Sequence, residues 1–323
     1  MMNGRYEAFD QSRVRLRSLS QRINDLSGNF ILPLQSLSER PVDSALDSIA
    51  SAIIEARQNG NNTVFLCGGH VVRSGVQHYL IDLMQRGFVS AIAVNGSVAI
   101  HDFEIALQGA TTESVAKYIQ EGQFGLWEET GRINTILKEG ATDGLGFGES
   151  LGRELALGKY PHKDVSLFAA AWNCGVPVTV HIGVGYDIIH AHPSFDGAVS
   201  GAASHRDFLI FAKQLEKLAC ACTFGSAVMA PEVFLKALSM VRNVALQEGR
   251  QLPGFRSLVC DLIEIPQNCM HEAPKSDPRY YFRPWKTLLT RTVAEGGQSY
   301  YVQGKHAETI PALWQAIHNR MKP

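Results

Sequence analysis

The 323-residue chain lacks an excess of charge of either sign: 30 Lys and Arg stand against 31 Asp and Glu, for a formal net charge of -1. Without a broad basic field there is nothing to hold nucleic acid or an anionic membrane surface, so the expected partner is a small solute or a protein. Long apolar runs are missing too. No stretch reaches the roughly eighteen residues that a membrane-crossing helix needs, and the opening "MMNGRYEAFDQSRVRLRS" has no apolar signal core. A soluble, cytoplasmic protein is the expectation. The six cysteines form no CxxC pair and no zinc-ribbon spacing, and they lie mostly inside apolar runs, which points to reduced core residues. There is no low-complexity tract, no GxGxxG and no Walker loop.

What is there is a recurring local pattern: a short run rich in Val, Ile, Phe or Cys, a turn of Gly and small polar residues, then an amphipathic segment. It is read in "TVFLCGGHVVRSGVQHYLIDLM", "AIAVNGSVAIHDFEIAL", "PVTVHIGVGYDIIHAHP", "ACACTFGSAVMAPEVFLKAL" and "SYYVQGKHAETIPALWQAI", with another strand in "SLVCDLIEIPQN". Strand–helix alternation of this kind predicts an α/β fold, doubly wound, with a mostly parallel Rossmann-like sheet and helices on both faces. Residues 1 to about 40 read as an arm and 41–323 as one domain, with a Gly-rich insertion at about 122–152.

In such sheets ligands gather beyond the carboxyl ends of the strands. The small-residue turns fall there, so Gly69, Asn95, Gly96, Ser97, Gly225, Ser226, Ala227 and Gly304 are candidates to line one crevice for a nucleotide-like ligand. Any single glycine could simply turn the chain. His70, His101, His181, His190, His192 and His306 cluster at or just past strand ends, where they could hydrogen-bond a ligand. A metal reading takes His181, Asp187, His190 and His192 as ligands, with no hydrolase signature behind that spacing. Asp187, in "GVGYDIIH", is a candidate for a ribose or a ligand amine, and equally for a helix N-cap. Lys286, in "SDPRYYFRPWKTLL", follows an aromatic stretch; apolar surroundings depress a lysine toward nucleophilic use, and solvent exposure leaves it inert.

On these residues the chain resembles deoxyhypusine synthase, from about Thr63 to Lys286. The family's strand–turn–helix with its Ser-Gly looks like "LCGGHVVRSG", which places Gly69, His70, Arg73 and Ser74 at the dinucleotide. Its Thr-Ala-Gly-Gly turn falls on Asn95, Gly96, Ser97 and Val98, followed by His101; its aspartate motif looks like "VPVTVHIGVGYDIIH" with Asp187; its glycine turn is matched by Gly225, Ser226 and Ala227. A Pro followed eight residues later by a catalytic Lys recurs as Pro278 and Lys286. The resemblance implies NAD as cofactor, a homotetramer, and Lys286 as an imine-forming nucleophile, with His306 added at the cofactor. The family's paired histidines and its acidic run before the lysine are absent, which implies a changed amine substrate.

Three functions therefore stand as expectations: an NAD-dependent transferase acting on a small amine through a Lys286 imine, a metal-assisted hydrolase at the histidine cluster, and a non-catalytic nucleotide-binding protein.

Overall fold

The computed structural model describes residues 5–36, 43–266 and 269–321. Residues 1–4 and 37–40 of the expected arm lie outside the described residues. Among the described residues there are eight strands: β1 (Asn24–Ser27), β2 (Asn62–Cys67), β3 (Ala91–Asn95), β4 (Ala110–Glu113), β5 (Val178–His181), β6 (Leu218–Phe224), β7 (Arg256–Asp261) and β8 (Gln298–Gln303). β1 and β4 form an antiparallel pair. The other six make one sheet in the order β5-β3-β2-β6-β7-β8, and every neighbouring pair in it is parallel. The α/β expectation is met by this doubly wound sheet.

Counted along the chain, the six strands lie third, second, first, fourth, fifth, sixth. The chain builds outward from β2 through β3 to β5, then returns to lay β6 on the other flank of β2. That reversal is the topological switch point at which doubly wound sheets bind dinucleotides. Here it falls between the carboxyl ends of β2 and β6.

The strands read as continuous apolar runs because both faces are covered; β3 and β5 are buried almost throughout. Side chains alternate between two cores. Phe65, Cys67, Ile92, Val94, Cys222 and Phe224 point to one, against Ile49, Val72, Phe103 and Leu313. Val64, Leu66, Ala91, Ala93 and Val259 point to the other, against Phe211, Phe234 and Leu288. The cysteines are all free, five of them buried. Burial raises the Cys67 thiol to about 12 and lifts Cys222 well above its ordinary value, so these are packing residues.

Within 122–152 the glycines allow close approach of helices. A Cβ on Gly140 would stand 1.9 Å from Ser150 Oγ, and one on Gly148 would stand 1.7 Å from the Val178 carbonyl oxygen. The helices Arg132–Thr142 and Phe147–Leu157 pack there. At the front of the chain, β1 pairs with β4, Gln11 Nε2 donates to the carbonyls of His190 and His192 (2.7 Å each), and Arg22 is buried.

Candidate functional site

The turns at the carboxyl ends of separate strands meet edge to edge. A Cβ on Gly68, after β2, would stand 2.8 Å from the backbone N of Ser226, after β6. One on Gly69 would stand 2.5 Å from Ser97 Oγ, after β3, and one on Gly96 would stand 2.1 Å from Asp187 Oδ2, after β5. Gly225, at φ +65°, would bring its Cβ to 3.0 Å from His306 Nε2, after β8. A continuous rim, poor in side chains, thus crosses the switch point. Ser226 itself has φ 55°, uncommon for a residue with a Cβ, and its Oγ is buried with no partner among the described residues.

Beside this rim lies a cavity of about 250 Å³, walled by the helix Gly96–Gln108, by Arg73, by Thr112 and Glu113 of β4, by the loop at Tyr186–Ile188, and by Arg22 from the first described segment. Arg22 and Glu104 pair on its floor. Glu104 also accepts from Thr111 Oγ1 and Thr130 Oγ1 (2.7 Å each). Thr112 adopts φ 65°, a second strained residue at the site, and its Oγ1 is buried without a partner among the described residues. So are Arg73 Nε and Asp187 Oδ2. Buried polar atoms are nearly always satisfied, and three of the exceptions, Arg73 Nε, Thr112 Oγ1 and Asp187 Oδ2, belong to residues that line this cavity.

Burial sets the protonation of these groups. It pushes the Asp187 carboxyl up to about 6. It also raises Glu113, although the Gly125 N–H and the Trp127 indole donate to that carboxylate. His101 is pushed down to about 4 by burial, against the pull of Glu104 and with Arg73, Arg22 and His70 adding to the drop. The cavity thus offers one guanidinium nitrogen without a partner, two carboxyl groups raised by burial and an imidazole held neutral.

The structure brings Gly69, Gly96, Ser97, His101 and Asp187 together at the cavity side, and Gly225, Ser226 and His306 at the other side of Gly68. Asn95 accepts from Ser97 Oγ at 2.8 Å. His70 and Ser74 lie on and just past the short helix Gly69–Arg73, where Ser74 Oγ donates to the His70 carbonyl. Ala227 packs on the second core. Lys286 stands apart, on the π-helical turn Trp285–Arg291, with Nζ 3.5 Å from the centre of the Tyr280 ring.

The four-residue metal cluster does not form. His181 packs edge-on to Phe208 and Phe211 with Nε2 3.0 Å from Thr179 Oγ1, His192 Nε2 is 2.7 Å from the Gly125 carbonyl, and His190 Nδ1 accepts from the backbone of Gly185 and Asp187. Among the described residues no three His, Cys, Asp or Glu gather as a metal site, so the metal expected at this cluster has no site there.

Arg22, Thr112 and Glu113 of the cavity wall, and Thr111 behind it, are residues that reading the chain alone missed. The first belongs to a polar segment with no periodicity. The others sit in a four-residue strand whose partner is eighty-odd positions upstream. Glu104 was visible only as part of "HDFE".

Residues 47–144 match the family model described as arginine dihydrolase ArgZ-like, C-terminal, Rossmann fold. The ornithine cyclodeaminase of Methanothermobacter thermautotrophicus is 28% identical over 74 residues, 23% of this chain and 18% of that protein. Among solved structures, apo ArgZ, an arginine dihydrolase from the ornithine–ammonia cycle in cyanobacteria, is 15% identical with TM-score 0.53, over 88% of this chain and 33% of that one. The ternary complex of AgrE with ornithine and NAD+ is 16% identical with TM-score 0.53, over 89% and 34%. The chain therefore spans about a third of these solved proteins and less than a fifth of the curated relative.

These matches overturn the resemblance to deoxyhypusine synthase, and with it the transferase acting through a lysine imine; the tetramer rested on that resemblance alone. The motifs that carried it were small-residue turns at strand ends, which every doubly wound sheet needs and which do not separate one such family from another. The segment that builds β2, β3 and the helix after each is similar to the C-terminal Rossmann domain of ArgZ-like arginine dihydrolases.

Proposed function

We propose that this chain is an NAD-binding enzyme module of the ornithine cyclodeaminase kind, with the dinucleotide along the switch-point rim and a small basic amino acid in the adjoining cavity. The observation that carries the reading is the side-chain-poor rim between β2 and β6 beside a cavity lined by the unpartnered Arg73 Nε, Thr112 Oγ1 and Asp187 Oδ2. Ornithine and NAD+ are named for the AgrE complex, and ornithine cyclodeaminase for the archaeal relative; both names agree with the chemistry of the walls here.

The residues fit a dinucleotide. Gly68, Gly69 and Gly225 let the strand-end turns pack closely so that backbone rather than side chain forms the rim, and Ser226 Oγ is a buried hydroxyl without a partner among the described residues. NAD+, when bound, supplies a hydride acceptor for amino-acid oxidation. The cavity, at about 250 Å³, suits an amino acid and is too small for the whole cofactor. In it Arg73 would bind the α-carboxylate, while Asp187 and Glu113 would take the ammonium groups.

Arginine hydrolysis is the weaker reading. Displacement at a guanidine carbon calls for an activated nucleophile, and none of the six cysteines lines the cavity. No helix among the described residues is long and apolar enough to cross a membrane.

Ammonia release from ornithine with catalytic NAD+ tests the reading. Ornithine- and NAD+-dependent ammonia supports it. Absence of turnover together with absence of NAD+ binding rejects it.

A further inference from the structure

We infer that His101 is the group that takes a proton from an ammonium of the bound amino acid, backed by a hydrogen-bonded chain through Thr111 to Glu104. The inference rests on the reading of the cavity as an amino-acid site and goes beyond it, because nothing in the similarity to other proteins assigns a role to any of the three.

The chain has one direction. Glu104 is held on the cavity floor by two bonds from Arg22 (2.8 Å each) and one from Thr130. As a carboxylate it accepts only, so the Thr111 hydroxyl must donate to it (2.7 Å). That leaves Thr111 Oγ1 with lone pairs alone for His101 Nδ1, 2.8 Å away. Nδ1 therefore carries the hydrogen, and Nε2 is left with a free lone pair on a ring that lines the cavity. A hydroxyl between imidazole and carboxylate fixes the ring's tautomer and its rotation together, as orienting groups do for catalytic histidines.

In the step, an N–H bond of the substrate ammonium breaks and an Nε2–H bond forms. The electron pair stays on the substrate nitrogen, which becomes a neutral amine. The imidazolium keeps its Nδ1–H donated to Thr111, and the buried Glu104 carboxylate lies one hydroxyl behind it. Burial holds His101 neutral before the substrate arrives. Burial acts equally on an ammonium in the same cavity, so it does not set the direction of transfer between the two. The groups that do are Glu104, which favours the imidazolium, and Arg73, Arg22 and His70, which oppose it. Asp187 and Glu113 face the same space from the opposite wall.

The test combines histidine ring nitrogen NMR with kinetics on the full chain. Wild-type protein alone should show the Nδ1–H tautomer of His101, and ornithine should shift its Nε2 resonance. Thr111→Val should give a tautomer mixture. His101→Gln should lower kcat by about 100-fold or more with ornithine affinity within about threefold, and Thr111→Val should shift the acid limb of the kcat profile. An Nε2–H tautomer in the wild type, an Nε2 signal indifferent to ornithine, or His101→Gln with undiminished kcat each overturns the inference. Absence of NAD+ binding would instead overturn the proposed function, and the tautomer and the ornithine titration would still decide the role of His101.

Discussion

Arg22 and Glu104 face each other through two parallel bonds of 2.8 Å, with both side chains only 1% exposed. The pair ties a segment that precedes the Rossmann sheet to the helix following β3, and it forms the floor of the cavity. Breaking a buried pair from one side strands a charge, at a cost of about 3–5 kcal/mol. Arg22→Ala is expected to lose that much in urea unfolding and to lose ornithine binding, whereas the same truncation at exposed Arg17, which pairs with Glu121, should change stability by about 0–1 kcal/mol.

Two glycines separate cofactor binding from substrate binding. At Gly68 a Cβ meets backbone, the N of Ser226, which cannot swing away. Gly68→Ala should cost about 1–3 kcal/mol and weaken NAD+ by more than about tenfold. At Gly96 the obstacle is the Asp187 carboxylate, a side chain that can rotate. Gly96→Ala should leave stability closer to wild type and weaken ornithine more than NAD+. Denaturation and calorimetric titration of both ligands read the difference.

Stability should fall in mild acid through buried histidines. His181 is 7% exposed and is pushed down to about 4 by burial, while the unfolded side chain titrates near its ordinary value of about 6.5. Between these limits the unfolded chain binds more protons, so this contribution is fully present above about 6.5 and is lost as pH falls toward 4. Asp102, raised to about 6 by burial against its bonds from Ser166 and Leu167, acts oppositely: the fold binds more protons, and its contribution is lost as pH rises through 6. His181→Gln isolates the first effect. Its stability deficit in urea titrations should be largest near neutrality and shrink toward pH 4; a deficit independent of pH would count against the assignment.

Ornithine binding should release protons. Asp187 is held up to about 6 by burial, and an ammonium beside it would restore the carboxylate. Calorimetry near pH 6 in buffers of different ionisation enthalpy should detect the proton set free, and Asp187→Asn should reduce that dependence.

Much of the architecture could be read from the chain. Apolar runs such as "TVFLC" and "AIAVN" became strands buried on both faces, and Gly69, Gly96 and Gly225 did fall at their carboxyl ends. Strand order could not be read, because which flank of β2 receives β6 depends on helix packing far along the chain. Family identity misled for a related reason. Turn residues report the geometry of a doubly wound sheet, which many unrelated sites share, and spacing alone put Pro278 and Lys286 into a motif that the fold leaves away from the cavity. The cavity walls were hidden because Arg22 comes beside Thr112 and Glu113 next to the pairing of β1 with β4, two short strands with no hydrophobic alternation to announce them.

The central claim is that a dinucleotide lies across the ends of β2 and β6. Amide hydrogen exchange with and without NAD+ tests it most directly, since it reports both binding and place. The account predicts saturable slowing at Gly68–Arg73 and at Gly225–Met229, lost in Gly68→Ala. Unchanged exchange in both turns at saturating NAD+, or slowing confined to another face of the protein, would contradict it.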